Sequence, residues 1–163
     1  PVQAVDPAAV TGSYRNFGDV TIYGTDLGFT YFAPNNWTLS ANYSFVNKDI
    51  FKNVNSIADI ALNSPKHKAN IAVRYDHPES GFRAGATFRY RGEFPMDSGA
   101  YVGTVDAYSA IDLALQYKLP LNNPTFSATL SLNGSNILDN SHQEFIGAPD
   151  IGRLVTSGLI VKF

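Results

Sequence analysis

Residues 153–163, Arg153-Leu154-Val155-Thr156-Ser157-Gly158-Leu159-Ile160-Val161-Lys162-Phe163, alternate with a period of two. Val155, Ser157, Leu159, Val161 and Phe163 fall on one face, and Thr156, Gly158, Ile160 and Lys162 fall on the other, as in a strand with one strongly apolar side. The aromatic at the end of the chain belongs to that side. Two environments compete to cover it, a protein core and lipid, and the fold depends on which one does.

The composition already leans away from an ordinary water-facing surface. Aromatic residues make up 13% of the 163 residues while charged residues make up only 16%, against a typical quarter. A net charge of -2 with no long basic run leaves no positive footprint for nucleic acid. With no cysteine, neither a disulfide framework nor a thiolate metal site can be built. The chain has no run of 18 apolar residues, which excludes a transmembrane helix but not a barrel, whose strands carry alternating apolarity.

Six further segments repeat the pattern. Residues 19–33 place Tyr23, Leu27, Phe29 and Tyr31 against Gly24, Asp26, Gly28 and Thr30, and residues 37–46 place Trp37, Leu39, Ala41, Tyr43 and Phe45 against small polar residues. Residues 68–75, 82–91, 105–119 and 125–133 continue the series. In 82–91 the polar side carries Arg83, Arg89 and Arg91, which a dry sandwich core would not accept and a wet lumen would. Residues 1–18 show no sustained periodicity and read as a loop or the incoming end of something larger.

The connections then alternate in length: short at 34–36, 76–81 and 120–124, and long at 47–66, 92–104 and 134–152. In an antiparallel meander successive connections fall at opposite ends, so the long ones gather on one side. That is the asymmetry of an outer-membrane barrel, and strands longer than the usual five or six residues suit a tilted bilayer crossing. Tyr31, Trp37, Tyr75, Phe82, Tyr117, Phe126 and Phe163 form an expected aromatic girdle at the short-turn end. In the first long connection, Ile57, Ala58, Ile60, Ala61 and Leu62 suggest a short helix or a strand. The expected fold is all-β, an antiparallel up-and-down transmembrane β-barrel segment of about seven strands. Since single-chain bacterial barrels use an even number of strands, from eight upward, and open edges in lipid are costly, either residues 1–18 hold an eighth strand or the remaining strands lie outside this chain, the second being the simpler geometry. Pro1 at the start suggests a processed or excised chain.

Three stretches carry a family resemblance: Asn16-Phe17-Gly18-Asp19-Val20-Thr21-Ile22-Tyr23-Gly24-Thr25-Asp26-Leu27, then Ala61-Leu62-Asn63-Ser64-Pro65-Lys66-His67-Lys68-Ala69-Asn70, then Leu132-Asn133-Gly134-Ser135-Asn136-Ile137-Leu138-Asp139-Asn140 with Gly147-Ala148-Pro149-Asp150-Ile151-Gly152-Arg153 and the closing Phe163. In this order they resemble the C-terminal part of TonB-dependent outer-membrane receptors, with residues 19–163 as the barrel portion. The resemblance implies the last seven strands of a 22-stranded barrel around a plug domain. It also implies energy supplied by TonB, and import of a siderophore, cobalamin, haem or a carbohydrate. No stretch here is similar to the plug or the TonB box, so plug and remaining strands are expected partners outside this chain. Phe163 resembles the terminal aromatic read by the barrel assembly machinery, which places the C terminus in the periplasm.

No nucleophile, base and orienting group form a recognisable motif, so neither an enzyme nor a cofactor is expected. Asp26, Arg74, Arg83, Arg89 and Asp112 are expected to face the lumen, mainly pairing with one another and with water, with substrate or plug contact as the sharper role. Asn136, Gly152 and Arg153 are expected to shape the last hairpin, and His67, His77 and His142 to serve as exposed polar residues. The long connections are the expected external recognition surface. Two other architectures fit the alternation: a complete eight-stranded outer-membrane barrel acting as adhesin or structural protein, and a soluble ligand-binding or hydrolytic β-barrel with its apolar face inward.

Overall fold

Alternating side chains become one continuous ladder of backbone hydrogen bonds. The computed structural model describes residues 19–54, 58–121 and 125–163, and among these no helix occurs. The strands are β1 Gly24–Ala33, β2 Trp37–Val46, β3 Ile50–Val54, β4 Ala58–Ala61, β5 His67–His77, β6 Phe82–Arg91, β7 Phe94–Asp97, β8 Val102–Val105, β9 Tyr108–Lys118, β10 Ser127–Ser135 and β11 Leu154–Lys162. Seven of them form one antiparallel sheet in the order β1-β2-β5-β6-β9-β10-β11, an up-and-down meander. Segment 1–18 and residues 55–57 and 122–124, including Ile57 of the first connection, lie outside the described residues.

The observed ends depart from the expected ones for local reasons. β1 opens at Gly24 rather than residue 19, because the Asn47 side chain takes over from the ladder: Tyr23 N–H donates to Asn47 Oδ1 at 2.9 Å. β10 runs on to Ser135, since Gly134 interrupts the side-chain pattern without interrupting backbone pairing to Leu113 and Val155. β9 opens at Tyr108 rather than residue 105, because Val105 belongs to β8, which pairs with β7 inside the expected connection. The first long connection holds a hairpin, β3 with β4, and thus the strand alternative rather than the helix.

The first two short turns are built by residues that tolerate a left-handed backbone. Asn35 and Asn36 reverse the chain at φ 59° and 66°, and Gly81 does so at φ 69°. At Gly81 a Cβ would lie 2.8 Å from Lys118 Cβ, so the turn also needs glycine for its close approach to β9.

The register puts the apolar residues of all seven strands in common rows, for example Ala41, Ile71, Phe88 and Ile111. No protein layer covers this face among the described residues: Ile71 is 46% exposed, Leu130 46% and Leu159 59%. The buried apolar cluster lies elsewhere, under the long connections, where Phe94, Met96 and Val105 pack with Ile146. An inward-facing soluble core is therefore absent from the described residues.

Aromatic side chains mark both ends of the uncovered face. At the short-turn end Trp37 packs on Tyr75 with centroids 4.8 Å apart, Tyr75 lies 6.4 Å from Phe82, and Phe82 pairs with Tyr117. At the other end Phe45 lies 5.2 Å from His67, and Tyr43 Oη bonds His67 Nδ1 at 2.7 Å. This smaller cluster, on β2 and β5, was not apparent in the sequence. At about 3.3 Å per residue and a tilt of about 40°, Trp37 and Phe45 stand roughly 20 Å apart across the sheet, close to the height of a barrel's apolar belt.

Candidate functional site

The opposite face of the sheet is polar and hollow. Thr30 and Phe32 of β1, Thr38 and Ser40 of β2, Arg74 of β5 and Thr87 of β6 line a cavity of about 630 Å³ that extends to Asp112, Asn133 and Thr156. A surface shared by both edge strands in this way is concave. Hydroxyls, one guanidinium and the small residues Ala72, Gly85 and Ala114 share its wall, because these positions are the small and polar members of each strand's alternation.

Of the five polar residues expected on this face, the structure joins Arg89 and Asp112. Arg89 Nε and Nη2 donate to the two carboxylate oxygens at 2.7 and 3.2 Å, a bidentate pair between β6 and β9. Asp112 accepts two further bonds, from Ser135 Oγ at 3.1 Å and from the Asn136 N–H at 3.0 Å. Arg83 pairs instead with Asp76 at 3.0 Å, both side chains well exposed. Arg74 sits in the cavity wall with Asp112, and Asp26 stands apart at the long-connection end of β1, opposite Ser44.

Above Asp112 the network runs into the third long connection. Asn136 is fully buried at φ 49°; its amide donates to Asn140 O at 3.0 Å and accepts from the Asn140 N–H at 3.1 Å. Arg153 N–H donates to Asp139 Oδ1 at 2.8 Å, and its guanidinium reaches Ile137 O at 3.5 Å. At Gly152 a Cβ would come within 3.2 Å of the same Asp139 oxygen, so the chain passes close there. Phe163 is fully exposed at the short-turn end.

His142 is buried rather than exposed, a correction to the sequence expectation. It stacks on Tyr108 with centroids 3.9 Å apart, and its Nδ1 lies 2.7 Å from Asn140 O, to which it donates. Glu144 completes this group: Tyr108 Oη donates to its Oε1 at 2.9 Å, and Arg89 Nη1 lies 3.7 Å away. Sequence reading missed Tyr108 and Glu144 because they stand 36 residues apart and only the folded connection joins them. His77 instead closes a turn with Ser80. The described residues hold no group of three or more His, Cys, Asp and Glu suited to a metal.

This geometry is a concave wall of small and polar residues, braced by one bidentate ion pair and joined through Asp112 to the start of the third long connection. Residues 2–137 match the family model described as TonB dependent receptor-like, beta-barrel. The chain belongs to the TonB-dependent receptor β-barrel family. Among solved structures, one chain of the FpvAI–pyocin S2 complex is similar with a TM-score of 0.59 and 18% identity, over 86% of this chain and 19% of that one. At that identity the likeness is one of fold, and this chain spans about a fifth of that chain. No curated protein matches. Membership of the TonB-dependent receptor family implies an outer-membrane β-barrel, and the meander described above is a segment of one.

Proposed function

We propose that residues 19–163 form the C-terminal part of the barrel of an outer-membrane receptor that imports a nutrient such as a siderophore, cobalamin, haem or an oligosaccharide. The observation that carries this reading is the uncovered apolar face, with an aromatic row at its short-turn end and an aromatic cluster on β2 and β5 at the other, backed by a concave polar face. Lipid against the first face and water against the second satisfy both, whereas water on both sides would leave the aliphatic rows exposed. In this reading Asp26, Arg74, Arg83, Arg89 and Asp112 line the lumen, and Asn136, Gly152 and Arg153 shape the last connection. The remaining strands close the barrel around the plug, TonB acts through the plug, and the chain carries no chemistry of its own. The strand ending at Phe163 engages the barrel assembly machinery, with the short turns and the C terminus in the periplasm.

Spin labels placed singly at Leu39, Ile71, Phe88, Leu113, Leu130 and Leu159 of the full-length receptor in vesicles test the lipid-facing assignment. Oxygen, which partitions into lipid, is expected to relax all six labels more than a water-soluble nickel complex does. The reverse preference would remove the membrane reading.

A further inference from the structure

Two hairpins from different long connections are joined through the side chain of Asn63. Asn63 follows β4 with a left-handed backbone, φ 56°, and its amide faces Asp97 at the end of β7. Asn63 Nδ2 donates to Asp97 O at 2.8 Å, and Asp97 N–H donates to Asn63 Oδ1 at 2.8 Å. A primary amide offers the donor and acceptor of a peptide group, so Asn63 pairs with this edge as a neighbouring strand would. Asp97 is in turn tied to the third connection. Met96, its neighbour, accepts from Ile146 N–H at 3.4 Å, and Phe94, Met96 and Val105 pack with Ile146. Gly147, at φ 84°, lies so close to the Tyr101 ring that a Cβ would meet it at 3.0 Å.

We propose that Asn63 is the clasp that holds the first long connection in register with the second and third, so that the three present one pre-ordered recognition surface. The inference rests on the reading of these connections as external. The clasp is exposed and consists of two hydrogen bonds, so it biases the arrangement of the hairpins without being needed to fold the sheet beneath.

Pulsed electron–electron resonance on the full-length receptor in micelles, with labels at Ile60→Cys and Val102→Cys, reads the separation of the two hairpins. Both positions are exposed. The parent is expected to give one narrow distance distribution, and Asn63→Gly and Asn63→Asp each to widen it roughly twofold. Glycine and aspartate both accept a left-handed backbone, but glycine removes the amide and aspartate replaces its donor with an acceptor. A parent-like width in either variant overturns the proposal, as does a broad distribution in the parent. A second label pair, Val102→Cys with Phe145→Cys, spans the second and third connections and is expected to stay unchanged. Widening there as well would make Asn63 a general folding residue rather than a clasp. The measurement needs no ligand and no membrane, so its failure is distinct from failure of the import reading.

Discussion

Asp112 gathers bonds from three partners on the concave face. It accepts from Arg89, Ser135 and Asn136, and so ties β6, β9, β10 and the start of the third connection together. With the side chains of Arg89 and Asp112 25% and 30% exposed, water screens the pair in part. Asp112→Ala leaves a guanidinium, a hydroxyl and a backbone N–H without their acceptor, and is expected to cost roughly 3 kcal/mol. Asp112→Asn keeps an acceptor for Ser135 and Asn136 and is expected to cost about half as much. Guanidinium titration of the receptor in vesicles, followed by tryptophan fluorescence, gives both values. Equal costs for the two variants would show that the charge, and not the bonding pattern, is what β10 depends on.

Each strand is a partition between two environments, and neighbouring residues of one strand therefore answer differently to the same substitution. Ile71 lies in the row with Ala41 and Phe88, midway between the levels of Trp37 and Phe45, whereas Ala72 lines the cavity beside Ser40 and Thr87. Ile71→Arg is expected to destabilise the barrel by about 2–4 kcal/mol, the depth-dependent cost of a cation at the bilayer midplane. Ala72→Arg, facing water, is expected to stay within about 1 kcal/mol of the parent. Folding equilibria into lipid vesicles measure the contrast. Similar values for both variants would mean that the two faces do not see lipid and water.

The meander sorts the connections of the whole chain by length, with the short turns at one end and the hairpins β3–β4 and β7–β8 and the segment after β10 at the other. That sorting makes the two ends of the sheet distinguishable by experiment. In intact cells a cysteine at Tyr101 or Phe145 is expected to react with a membrane-impermeant maleimide, and one at Asn35 or Glu79 to react only after the outer membrane is permeabilised. Tyr101 and Phe145 are 56% and 45% exposed, so a lack of labelling there would reflect sidedness rather than burial. The opposite labelling pattern would invert the orientation while leaving the barrel intact. Among the described residues β1 pairs only with β2 and β11 only with β10, so the sheet keeps two edges for pairing beyond it.

Alternation is a local property, and it made the seven-stranded meander, the two faces and the short–long rhythm of the connections legible from residues such as Trp37 to Val46, whose strand bounds the structure reproduces. The aromatic residues of the turn-side band could be read in the same way, because they flank turns that are short in sequence. Contacts between distant segments could not be read. Tyr108 with Glu144, Asn63 with Asp97 and Met96 with Ile146 join residues far apart in the chain, and each pairing depends on how a long connection folds back over the sheet. The burial of His142 follows from the same cause, since a histidine in a polar stretch has no periodic neighbour to betray the ring that will stack on it. Period-two patterning specifies which side of a strand a residue takes, and three-dimensional closure of the connections specifies what that residue meets there.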